Sequence, residues 1–309
     1  FEFIVGLAIY LSMTKAVMYH YIRDKNKLFP YSNILTKKNF DKQLNFFDNS
    51  GLISDHKELI LRSNKYLLTF DDGFKDHIYA AELLKKYNAI GLFAIPTLPF
   101  KNRDILDVHK IHLITGKIKG TEILDELKKF VIKKKIKNFI SENEKEKYKI
   151  AYKNQKGDIH KKEFKRIMNY YGDTKLKCKI LNYLLKKFDI NVPFKDFYLN
   201  KKEIKYLSSL GMIISSHTES HTLLSRLSYK KQFLEIKNSK VFLESVIKKE
   251  VNTFVYPYGT KISYNRNTIN ILKKLKFKLA YSVENRDIKF DDIKNKPFEL
   301  PRYDCNQFT

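Results

Sequence analysis

The chain has 309 residues and a formal charge of +26, with 60 basic against 34 acidic side chains; that length suits one large α/β domain, or a domain with a substantial insertion. Its two cysteines, Cys178 and Cys305, lie too far apart for a disulfide scaffold and point to free thiols in a reducing compartment, and no run is long enough to span a membrane. Only eight of the basic residues are Arg, whereas nucleic-acid recognition leans on Arg forks, so the lysines are read as solvated helix faces that favour an anionic substrate or an acidic membrane face and not nucleic acid.

Residues 1–12 are apolar but have neither a basic start nor a small-residue cleavage pattern. They are expected to be a leader or vector-derived segment before a natural start at Met13, giving a cytoplasmic protein, with a periplasmic or envelope location as the alternative. Lys15–Tyr19 reads as a first strand ending at His20, a group that serves either structure or a site. Residues 39–47 have the spacing of an amphipathic helix, with Phe40, Leu44 and Phe47 on one face. The run Tyr66-Leu67-Leu68-Thr69-Phe70 is a buried strand that stops in Asp71-Asp72-Gly73. Two adjacent carboxylates at the carboxyl end of a strand mark a place for chemistry, because α/β folds collect ligands there. A helix at 78–87 and a strand at 90–95, ended by Pro96, complete a β-α-β unit.

Between about 100 and 200 strand signals vanish and Lys-rich helical segments follow one another, at 124–136, 164–171 and 176–188. The expected organisation is therefore a barrel from 13–100 and 200–309 with a helical insertion at 101–199. His109 and His112, three apart near its start, would share a helix face. Afterwards β/α alternation resumes: a helix at 203–210 capped by Gly211, a strand at 212–215, a long helix at 229–248, a strand at 253–256, a helix at 269–275 and a strand at 278–282.

After the 212–215 strand stands Ser216-His217-Thr218-Glu219-Ser220-His221. Two His four apart would point the same way on a helical turn, and with a carboxylate they form a divalent-metal triad that leaves coordination positions open for water and a carbonyl.

Together these residues resemble the polysaccharide deacetylases, the NodB-homology group of carbohydrate esterase family 4. Thr69-Phe70-Asp71-Asp72-Gly73 is similar to the family's first motif, 216–221 to its second, Tyr256-Pro257-Tyr258-Gly259 to most of its third, and Leu92-Phe93-Ala94-Ile95-Pro96 to its second core strand. The resemblance implies a distorted (β/α)7 barrel with Asp71 as general base, Asp72, His217 and His221 as ligands of one divalent metal, and the Tyr258 backbone N–H at the oxyanion. Zinc is the expected ion, with Co, Ni or Mn as alternatives. Val255 replaces the Arg that many members carry before the motif's Pro, which makes Arg302 the candidate to orient Asp71. The usual Leu-x-His segment is missing too. Met18-Tyr19-His20 instead resembles the opening of the permuted poly-N-acetylglucosamine deacetylases and makes His20 the candidate acid. His109 is carried as a candidate substrate contact. The implied activity is metal-dependent removal of an N-acetyl group from an amino sugar in a surface glycan or its precursor. Alternatives are an inactive carbohydrate-binding member of the fold or a basic nucleic-acid binder.

Overall fold

The computed structural model describes residues 13–55, 65–153, 155 and 157–308; the expected leader at 1–12 lies outside them. The chain divides into two compact units, one made of residues 1–24, 34–103 and 195–309, the other of 25–33 and 104–194.

The first unit holds seven strands: β1 (Lys15–Tyr19), β2 (Tyr66–Asp71), β3 (Gly91–Ile95), β4 (Ile213–Ser216), β5 (Thr253–Val255), β6 (Leu279–Tyr281) and β7 (Tyr303–Asp304). They form one parallel sheet in the order β6-β5-β4-β3-β2-β1-β7. Helices connect most of these strands, including His77–Lys86, Lys201–Ser209, Tyr229–Ile247 and Arg266–Lys274. Residues 297–302 run beside β6, with the Leu300 N–H donating to Ala280 and the Ser282 N–H to Leu300, before β7 pairs with β1. One segment thus joins the two edges of the sheet and curls it into the expected seven-stranded barrel.

Strands β2 to β6 are buried almost throughout, as expected for a parallel sheet covered on both faces. Side-chain alternation sorts them into two cores. Val17, Tyr19, Leu68, Phe70, Phe93, Ile95, Ile214 and Phe254 pack with the helices. Ala16, Leu67, Leu92, Ala94, Ile213, Val255, Leu279 and Tyr281 fill the other face, the barrel interior. Phe70 is the centre of the helix-side layer, stacked on Phe93 at 4.6 Å and on Tyr19 at 5.4 Å between ring centroids.

That parity positions the site. Thr69 and Asp71 follow Leu67 onto the interior face of β2, and His217 follows Ile213 and Ser215 along β4. In the same way His20 continues the row of Ala16 and Met18. The register Tyr19↔Phe70, Asp71↔Ala94 and Ala94↔Ser215 brings these ends to one level.

The second unit is helical among its described residues: Asp107–Lys117, Gly120–Lys133, Glu142–Tyr148, Ile159–Arg166, a π-helical turn at Ile167–Tyr171, and Thr174–Lys187. Its buried residues include Ile111, Ile114, Ile123, Leu127, Phe164, Ile180 and Leu184. Lys110, 3% exposed, is kept in this interior by donating to Asp104 at 2.7 Å and Asn182 at 3.0 Å.

Candidate active site

The two carboxylates that end β2 have different environments. Asp71 faces the barrel interior and is 2% exposed. Arg302, with no exposed surface, donates through Nη1 to Asp71 Oδ1 at 2.8 Å and through Nη2 to Oδ2 at 2.9 Å. The same guanidinium donates from Nε to the Ser282 carbonyl at 3.1 Å and from Nη1 to Thr69 Oγ1 at 3.0 Å. Thr69 in turn donates to the Val17 carbonyl at 3.0 Å. Burial alone would raise the Asp71 pKa; the Arg302 charge, followed by His217 and the hydrogen bonds from Arg302, outweighs it and holds the carboxyl below its ordinary value. Asp71 is therefore a fixed, ionised carboxylate.

The chain turns sharply after Asp71. Asp72 has φ +81° and Gly73 φ +62°, a left-handed region that costs a non-glycine residue energy. A Cβ on Gly73 would also come within 3.0 Å of Ile95. The turn sends the Asp72 carboxylate toward the second motif, with Oδ1 at 3.3 Å from His221 Nε2 and 3.6 Å from His217 Nε2.

The two imidazoles meet through a loop, and the helical turn considered from their spacing does not form: residues 217–221 contain no helix. Instead Thr218 and His221 take left-handed φ values of +65° and +54°, which brings the rings edge to face at 4.8 Å. His217 Nδ1 lies 2.7 Å from the Val255 carbonyl. A carbonyl only accepts, so Nδ1 carries a proton there and Nε2 is the nitrogen turned toward Asp72.

Asp72 Oδ1 has two imidazole nitrogens within 3.6 Å of it in a buried pocket, an arrangement that a shared cation would satisfy. Asp72, His217 and His221 are all buried and offer ligand atoms that lie within 4.8 Å of one another. Two imidazoles and a carboxylate are an ordinary donor set for a borderline divalent ion, and the bond from His217 to Val255 is the outer support such ligands usually have. The residues fit a metal.

The other candidates are distributed as follows. His20 stands just past β1, and its carbonyl accepts from His77 Nε2 at 2.9 Å. Tyr258 has φ +63° and sets its ring 5.1 Å from His221. His109 belongs to the second unit, where it is fully buried with its ring 5.7 Å from His112. A hollow of about 270 Å³ lined by Lys85, Asn88, Leu210 and Gly211 opens at the amino ends of β3 and β4 and includes none of the site residues.

Sequence reasoning missed two supports. The Val255 carbonyl had no signal, being a backbone group; Thr69 had one, since its parity with Asp71 puts a hydroxyl on the interior face.

The family model described as Polysaccharide deacetylase matches residues 130–280, which include His217, His221 and Tyr258. Over this stretch, just under half of its length, the chain is similar to polysaccharide deacetylases. Among solved structures, the chain resembles a Streptococcus pyogenes deacetylase, PplD, in complex with acetate, with a TM-score of 0.57, 18% identity and coverage of 94% of this chain and 92% of that one. It also resembles IcaB from Ammonifex degensii, with a TM-score of 0.53, 15% identity and coverage of 95% and 91%. A polysaccharide deacetylase described as putative, BA0330 from Bacillus anthracis, gives 0.55 and 15% with 94% of this chain covered; the chain spans only 64% of that protein. At these identities the likeness is one of fold. A search of curated protein sequences returns no match.

Proposed function

We propose that the protein is a metal-dependent carbohydrate N-deacetylase that hydrolyses the acetamide of an amino sugar, in a surface glycan or its precursor, to acetate and a free amine. The observation that carries this reading is the pairing of one buried carboxylate locked by Arg302 with a second turned onto two imidazoles. Adjacent acids with separate partners can hold separate roles.

Asp72, His217 and His221 would hold the ion. When bound, a divalent ion polarises the acyl carbonyl and lowers the pKa of water. Asp71, kept ionised by Arg302, takes the proton of the attacking water at a carboxylate oxygen. The Tyr258 backbone N–H donates to the oxygen that becomes negative. His20 gives a proton to the departing sugar nitrogen, its backbone held by His77. The printed descriptions of the similar structures, a deacetylase with acetate and a de-N-acetylase, support the reaction class. Retention of all three metal-binding side chains supports catalysis over an inactive sugar-binding role.

The test is acetate release from a panel of N-acetylated sugars and glycans, with and without chelator. Activity should vanish with chelator and return with zinc. Asp71→Asn should keep the metal and lose activity about 100-fold or more, the range for removal of a positioned base. Chelator-resistant activity, or loss of metal in Asp71→Asn, would refute these assignments.

A further inference from the structure

The loop at 217–221 holds both imidazoles in a conformation that its own sequence disfavours. Thr218 is β-branched and His221 is bulky, yet both have positive φ, so something outside the loop must determine its shape. Part of the support is internal, the His221 N–H donating to Thr218 Oγ1 at 3.0 Å. Another part comes from the segment after β3, where the Thr97 and Leu98 N–H groups donate to the carbonyls of Thr218 at 3.2 Å and Glu219 at 2.8 Å.

The loop's donors converge on one side chain. The N–H groups of Glu219 and Ser220 donate to Glu235 Oε2 at 3.0 and 2.9 Å, and the Ser220 hydroxyl donates to Glu235 Oε1 at 2.7 Å. Glu235 stands on Tyr229–Ile247, the 19-residue helix that follows the loop. Two backbone N–H groups and a hydroxyl from two successive residues are all received by one carboxylate, a group that only accepts. The last of these residues directly precedes His221.

We propose that Glu235 is a positioning residue for the metal site: by receiving the 219–220 donors it fixes the backbone turn that aims His221 at Asp72. The inference rests on the proposed metal-binding role of Asp72, His217 and His221. It assigns Glu235 no contact with substrate. Gln would keep the size and both N–H bonds on its carbonyl oxygen, with the Ser220 hydroxyl turning to accept from its amide, whereas Ala removes every acceptor. Asp is one methylene short on a helix that cannot advance.

The test is zinc affinity of the metal-free protein, measured by competition with a chromophoric chelator, beside a melting curve of each metal-free variant. Glu235→Ala should weaken zinc binding about 10- to 100-fold, the usual effect of removing an outer-shell partner of a metal ligand, and Glu235→Gln, which can still receive both N–H groups, should weaken it less. Ser220→Ala, which deletes one of the three bonds and leaves the backbone donors in place, should weaken it less, by several-fold. A purely structural Glu235 would lower the melting temperature of the metal-free protein and leave zinc affinity unchanged. Wild-type affinity in a folded Glu235→Ala protein overturns the proposal, and should that variant not fold, wild-type affinity in Ser220→Ala does so. If the wild-type protein binds no zinc, or Asp72→Ala binds it equally well, the metal-site reading itself has failed, a separate result from either.

Discussion

Arg302 and Asp71 form a buried ion pair whose two charges are each surrounded by fixed partners, Ser282 and Thr69 on the cation and both guanidinium nitrogens on the anion. Breaking such a pair from one side strands a charge in a low-dielectric interior. Arg302→Met should therefore destabilise the fold by about 3–5 kcal/mol in urea unfolding, and the double variant Arg302→Met/Asp71→Asn should recover part of that loss. Arg302→Lys keeps the charge without the fork and should lie between the wild type and Arg302→Met. His77 is a second buried titratable group, surrounded by Phe70, Phe74 and Phe93. Burial pushes its pKa below the ordinary His value, against the hydrogen bond to the His20 carbonyl, which favours the charged form. The unfolded chain therefore takes up the proton first, at about pH 6.5. No penalty exists above that pH, and stability falls as pH drops from there toward the lower folded pKa. His77→Gln should remove this component: the stability difference between wild type and variant should shift against the wild type as pH falls below about 6.5, measured by chemical denaturation. A pH-independent difference would show that His77 does not titrate in this way.

Turns at the strand ends carry the chemistry, and their glycines are placed by sterics. Gly259, ending Tyr256-Pro257-Tyr258-Gly259, has φ +67°, and a Cβ there would stand 2.4 Å from Val283 Cγ2. Gly259→Ala should cost on the order of 1–3 kcal/mol, and Val283→Ala added to it should relieve the clash but not the backbone strain; thermal melts of the single and double variants separate the two. The strands were legible because each is a short apolar run closed by a turn residue or Pro, and β1 matched its expected bounds. Strand β7 was not, since it has two residues, one of them Asp304, and pairs only through its backbone. The helix Phe290–Asn295 was missed because its six residues include two adjacent acids, one of which, Asp292, is spent on Arg286 and the Lys289 N–H. In the site, Asp71, Asp72, His217, His221 and Arg302 could be named from sequence because their types announce chemistry. Glu235 could not, as a single acid between Leu234 and Ile236 on a helix has no distinguishing local pattern; only the folded loop turns donors toward it.

At the scale of the molecule, charge is unevenly divided. The second unit has 100 of the 309 residues, with 25 basic and 12 acidic side chains, and so carries +13 of the total +26. Its chain enters after β1, at residue 25, and after β3, at residue 104, and these two strands flank the one that ends in Asp71. Both departures are from carboxyl ends of strands, the ends from which barrel enzymes build substrate selectivity. We propose that this unit selects anionic glycans. A field acts beyond contact distance and is screened by salt, with a Debye length of about 10 Å at 0.1 M. The kcat/KM for an anionic N-acetylated glycan should therefore fall steeply as salt rises, while that for a neutral analogue of the same length changes little. Lys128 and Lys129, whose side chains are about three-quarters exposed, can be changed to Gln at little cost to the fold, since surface substitutions typically shift stability by less than about 0.5 kcal/mol. The Lys128→Gln/Lys129→Gln protein should show a flatter salt dependence on the anionic substrate and unchanged turnover of the neutral one. Equal salt dependence for both substrates, or an unaltered slope after neutralisation of the lysines, would mean that the helical unit serves stability or assembly and that selectivity resides in the barrel.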